Sequence, residues 1–97
     1  MVVNLSNRYK VSSNRESGYG RYDVMIKPLD KTGKAFIFEF KVLDVDDDEE
    51  TLEDTVANAH TQINEKQYEA ELISEGFAPE QIRKYGFAFR GKECLIG

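Results

Sequence analysis

The chain has one cysteine and one histidine in 97 residues. A lone Cys94 rules out an internal disulfide framework and fits a reducing, cytoplasmic setting. With His60 as its single companion, it also argues against a Cys/His zinc site. No apolar run approaches the roughly 18 residues of a membrane span. Met1 to Lys10 lacks the long apolar core of a signal peptide. There is no Pro/Gly-rich linker, no internal repeat, and no low-complexity tract beyond one acidic cluster. What remains is one small domain of 11.1 kDa, with 40% hydrophobic and 32% charged residues, a composition of ordinary globular type.

The net charge of −5 hides a strong asymmetry. Residues 1–43 hold eight Lys or Arg against four acids; residues 44–80 hold one Lys against thirteen; residues 81–97 hold four against one. A basic patch is therefore compatible with an acidic molecule. The plain alternative is solvated surface charge on every side.

Periodicity predicts the elements. Val2, Val3 and Leu5 read as the last turn of a helix, as if the domain were excised from the C-terminus of a longer protein. Tyr9 to Ser13 reads as a short strand, and Asn14 to Gly20 as a loop. Arg21 to Lys27 reads as a strand that Pro28 ends. Leu29 to Lys34 has hairpin-turn chemistry around Gly33. Ala35 to Leu43 (AFIFEFKVL) is the strongest strand signal, nearly continuous in apolar residues and so expected to be central and covered on both faces. Acids at 44–50 predict a solvated helix start, and Leu52, Val56, Ala59 and Ile63 form one stripe of that helix. A break is expected between Asn64 and Gln67. Gly76 is a C-cap, residues 78–84 are helical with Pro79 at the first position, and two strands flank Gly91. Strands before and after a packed helix predict a mixed sheet with helical cover, an α/β or α+β domain.

The chemistry concentrates in the strongest strand. Glu39 and Lys41 share one face, about 6.6 Å apart along the strand, while Phe36, Phe38 and Phe40 take the other as an aromatic core. Buried ionised groups need a partner or a metal. An ordinary Glu39–Lys41 ion pair is the plain reading. Asp23 adds to it, because an aspartate in the middle of RYDVMIK runs against strand propensity. The intervening turn makes the two strands antiparallel neighbours, which predicts Asp23 and Glu39 on one face within reach of a common ion. Two converging carboxylates repel unless a cation joins them, and oxygen ligands suit magnesium or manganese. A nearby lysine then completes a site for phosphoryl chemistry. Arg15 and Arg21, on either side of the preceding loop, are candidate phosphate contacts. Tyr19, Tyr22 and Tyr68 read as half-buried rim or as platforms for bases. His60 reads as packing, and Cys94 as a buried inert thiol.

Asp23, a hairpin, and Glu39-Phe40-Lys41 at the end of an apolar strand resemble the PD-(D/E)XK nuclease superfamily, with its restriction-endonuclease-like fold. SNRESGYGRYDVMIKP, FIFEFKV, AHTQINEKQYEAEL and KYGFAFRGKE together are similar to the nuclease-like C-terminal domain of bacterial proteins that begin with an AAA-ATPase-like domain. The resemblance implies that Asp23 and Glu39 bind Mg²⁺ (or Mn²⁺), with the Phe40 carbonyl as a further ligand. It implies that Lys41 is the catalytic lysine and that Gln62 faces the site from the helix. Glu16 matches the family's additional N-terminal acid. The proline that often precedes the aspartate is absent, since Tyr22 stands there. The implied activity is metal-dependent hydrolysis of nucleic acid, with DNA as the expected substrate. The alternative is a catalytically inactive DNA-binding or protein-interaction module of an AAA-ATPase-like protein.

Overall fold

The computed structural model describes residues 2–5, 8–16 and 21–97, with side chains for 8–13 and 22–97. β-branched and aromatic residues set its strands. Strands β1 (Val2–Leu5), β2 (Tyr9–Glu16), β3 (Arg21–Pro28), β4 (Ala35–Val42), β5 (Ile82–Arg90) and β6 (Glu93–Ile96) form one sheet in sequential order among the described residues. Each neighbouring pair is antiparallel except β4 and β5. A parallel pair needs a long crossover. Residues 43–81 supply it, carrying helices α1 (Leu52–Glu65) and α2 (Tyr68–Ser74). The fold is α+β and consistent with the restriction-endonuclease-like architecture. None of the described helices is long and apolar enough to cross a membrane.

The helices begin and end where local chemistry dictates. Thr51 caps α1: its hydroxyl accepts from the Asp54 N–H at 3.2 Å, and the Asp54 carboxylate accepts from the Thr51 N–H at 3.1 Å. This reciprocal pair satisfies two otherwise orphaned donors. The break falls where expected. α1 stops at Glu65, and Gln67 takes a left-handed φ of 57° before α2 starts. Gly76 follows α2 with φ 108°, and the Phe77 N–H donates back to the Leu72 carbonyl at 3.1 Å. That closure folds Phe77 onto Leu72 within the core, beside Met25, Ala35, Ile37, Ile63 and Ile82.

Several expectations are corrected. Residues 2–5 are a strand, not a helix end, because Val2 and Val3 pair with Ser12 and Val11 of β2. Strand β2 runs on into the expected loop as far as Glu16, which pairs with Arg21. The segment after Pro79 makes only a short 3-10 turn (Pro79–Gln81); Ile82 already pairs with Ala35, so residues 82–84 belong to β5. The acidic run forms a second 3-10 turn (Val45–Asp47), and Glu49 is buried rather than solvated. Cys94 is exposed.

The largest correction concerns the faces of β4. Both helices pack on the face bearing Ala35, Ile37, Glu39 and Lys41, all of them buried. Phe36, Phe38 and Phe40 lie half-buried on the opposite face. There they stack with neighbours, Tyr22 on Phe40 at 4.5 Å and Phe87 on Phe40 at 4.6 Å between centroids. Small residues explain the choice of face. A Cβ built on Gly86 meets the Ala59 Cβ at 3.0 Å and the Val56 carbonyl oxygen at 3.1 Å, so α1 lies almost against the β5 backbone. The row of phenylalanines offers no such approach. Gly86→Ala should therefore push α1 off the sheet and cost about 1–3 kcal/mol as an overpacking change, measured as a lower urea midpoint with an unchanged slope.

Candidate functional site

The register of β3 and β4 decides the geometry of the site. Asp23 and Glu39 are Cα partners, directly opposite one another in the antiparallel ladder. Directly opposed side chains share a face with Cβ atoms about 4.5–5.5 Å apart. Here that face lies beneath the helices, and both carboxylates are buried. Gly86 is the parallel partner of Glu39 on the other side. The close approach of α1 over Gly86 is thus what shields Glu39 from water.

A cation joins the two carboxylates, and it comes from a residue absent from the expected set. Lys66 Nζ donates to Asp23 Oδ2 at 2.9 Å and to Glu39 Oε1 at 3.4 Å. The Tyr68 hydroxyl donates to the same Asp23 Oδ2 at 2.9 Å. Lys66 is the C-cap residue of α1 and Tyr68 the first residue of α2. The left-handed turn at Gln67 between them aims both side chains at Asp23. One signal was visible in the sequence: Lys66 is the single Lys or Arg in the acidic stretch 44–80.

Lys41 lies two residues beyond Glu39 on the same face, but the expected Glu39–Lys41 pair gives way to a different partner. Its Nζ is 2.6 Å from Glu49 Oε2 and 3.2 Å from Asp47 Oδ2. Glu49 in turn accepts from the Thr55 hydroxyl at 2.8 Å, the Asn58 amide at 2.6 Å and the Asp44 N–H at 2.9 Å. Burial pushes the Glu49 carboxyl upward, but the bonds from Lys41, Asn58, Asp44 and Thr55 together outweigh it and hold the group below its usual range. Glu49 and Asn58 thus fix the lysine, and spacing along the chain did not reveal them. They come from a loop and a helix that only tertiary packing brings under β4.

Gln62 stands on α1 and lines a cleft of about 390 Å³ with Lys41, Asp47, Asn58 and Thr61. Its amide donates to Glu65 Oε2 at 3.4 Å. Asp23 and Tyr68 line a second cleft of about 230 Å³ with Ser12, Ser13, Met25, Lys27 and Glu71. A larger cleft of about 480 Å³, against Arg90 and Cys94, shares no residue with either. The side chains of Arg15, Glu16 and Arg21 lie outside the described residues. The Arg21 backbone pairs with Lys41 on one side and Glu16 on the other. Tyr19 also lies outside the described residues. His60 is half-buried, with Nε2 2.9 Å from the Gly97 carbonyl oxygen, as a packing residue should be.

The donor set suits a hard divalent ion. Two carboxylates with oxygens on one cation, Asp23 at the edge of a cleft and Glu39 buried behind it, match an ion that takes one or two carboxylates. Among the described residues there is no cluster of three or more His, Cys, Asp or Glu, so from these residues further ligands would be water or backbone oxygen. The Phe40 carbonyl belongs to β4, which is paired on both sides.

The whole chain, residues 1–97, matches the family model of the PD-(D/E)XK nuclease superfamily. That match does not show an AAA-ATPase-like context. No curated protein and no solved structure matches the chain significantly.

Proposed function

The chain belongs to the PD-(D/E)XK nuclease superfamily, and on that premise we propose that it hydrolyses phosphodiester bonds of nucleic acid, DNA foremost, with Mg²⁺ or Mn²⁺ at Asp23 and Glu39. The observation that carries the reading is the direct opposition of Asp23 and Glu39 across β3 and β4, with Lys41 on the same face. A bound ion would supply Lewis acidity toward the phosphate and a lowered pKa for water. Asp23, Glu39 and the Phe40 carbonyl would hold it. Lys41, held in place by Glu49 and Asp47, would donate to the attacking water or to a phosphate oxygen and so orient in-line attack. Gln62, on the rim of the Lys41 cleft, would hold that water or the phosphate through its amide. Arg15 and Arg21 would add phosphate contacts and Glu16 a further carboxylate.

The test is a plasmid-nicking assay with and without Mg²⁺. Wild type is expected to cut only with the ion. Glu39→Gln is expected to cut about 10²-fold more slowly or worse, the usual scale for losing one preorganised electrostatic group. Equal rates for the two proteins would end this reading.

A further inference from the structure

Lys66 Nζ occupies the point on which both carboxylates converge, 2.9 Å from one and 3.4 Å from the other. We propose that Lys66 is a resident cation, one that holds Asp23 and Glu39 together in the metal-free protein and leaves when a divalent ion binds. The inference rests on the metal-site reading above and adds a gate to it. Magnesium sits about 2.0–2.1 Å from its oxygens, closer than any ammonium nitrogen, so ion and ammonium cannot share the position. The charge count favours exchange. A divalent ion brings two positive charges to the carboxylates where the ammonium brings one. The released ammonium is then a spare positive charge beside the site, suited to the phosphate of an incoming substrate.

The setting permits such a movement. Lys66 ends α1 at the break before α2, where one flexible stem carries the charge. Its side chain keeps 17% exposure, while Asp23 keeps 7% and Glu39 none. The carboxylates are therefore anchored and the lysine has a way out. Tyr68 donates to Asp23 independently of Lys66, so the aspartate stays oriented when the lysine departs. Lys41 cannot take the same part, because Glu49 and Asp47 hold it.

Two measurements test the exchange without reading activity. In the first, lysines are acetylated with acetic anhydride and followed by mass spectrometry, with and without Mn²⁺. Lys66 is expected to label severalfold more with the ion present, while Lys27 and Lys84, paired with Glu75 and Glu69, serve as unchanged references. In the second, calorimetry measures Mn²⁺ binding to wild type, Lys66→Met and Lys66→Arg. Lys66→Met, which removes the competitor, is expected to bind about tenfold more tightly, or 1.4 kcal/mol. Lys66→Arg, which keeps a charge of better fork geometry, is expected to bind no more tightly than wild type. Binding by Lys66→Met alone would show a competitor that does not leave and would overturn the exchange. Mn²⁺ binding with Lys66 still protected, or with equal affinity in wild type and Lys66→Met, would overturn it and leave the metal site standing. No binding by any of the three proteins would overturn the metal site and the exchange together. The labelling arm needs no variant, so it holds even if Lys66→Met fails to fold.

Discussion

Lys41→Met is expected to slow cleavage by about 10²-fold or more while leaving divalent-ion affinity nearly unchanged. Among the described residues the partners of this lysine are Glu49 and Asp47, not Asp23 or Glu39. Methionine fills most of the same volume without charge. The change also strands Glu49, a fully buried carboxylate, with neutral donors alone. Breaking one side of a buried pair is costly, whereas replacing both is often near neutral. The double variant Lys41→Met/Glu49→Gln should therefore regain much of the stability that Lys41→Met loses and none of the activity. Nicking rates read beside urea unfolding for both proteins separate the two effects. Recovery of cleavage in the double variant would show that Lys41 matters only as a partner for Glu49.

Glu49→Ala carries the largest expected cost in stability, about 3–5 kcal/mol, because it leaves a buried ammonium with only the half-exposed Asp47. That is a large share of the roughly 5–15 kcal/mol that holds a domain together. The same carboxylate predicts a pH dependence. Its pKa is held below the usual carboxylate range in the folded chain. The stability it contributes is thus complete above that range. It drains away as pH falls through the range toward the lowered value, because the unfolded chain then binds more protons. Asp54, lowered by the N–H groups of Glu50 and Thr51, acts in the same direction. Glu49→Gln should shrink the acid limb of a stability–pH curve without abolishing it, as followed by urea unfolding at stepped pH. An acid limb identical to that of wild type would mean that Glu49 does not govern it.

Much of the site could be read from local pattern. Asp23 interrupts a strand that its neighbours favour, and Glu39 and Lys41 interrupt an apolar run. A short turn between them makes the strands antiparallel, and a period of two then places the side chains on one face. The helix break near Lys66 was equally visible, because the apolar stripe loses its step after Ile63. Such features depend on residues close in sequence. Which face of β4 is covered does not. A row of three phenylalanines looks like core, yet the helices take the face with Gly86 and Ala88 because only small residues let a helix backbone come so near.

The sequence by itself determined the central strands β3 and β4, the helix and its break, and the acid–acid–lysine set, since each follows from turn chemistry, side-chain period and local propensity. Only the tertiary structure decided which cation each acid meets. Lys66 reaches Asp23 across 43 residues of chain, and Glu49 reaches Lys41 by a loop folding back beneath the sheet. Coulomb attraction depends on distance in space and not along the chain. Spacing can therefore name the charged groups, but their pairing is set by packing.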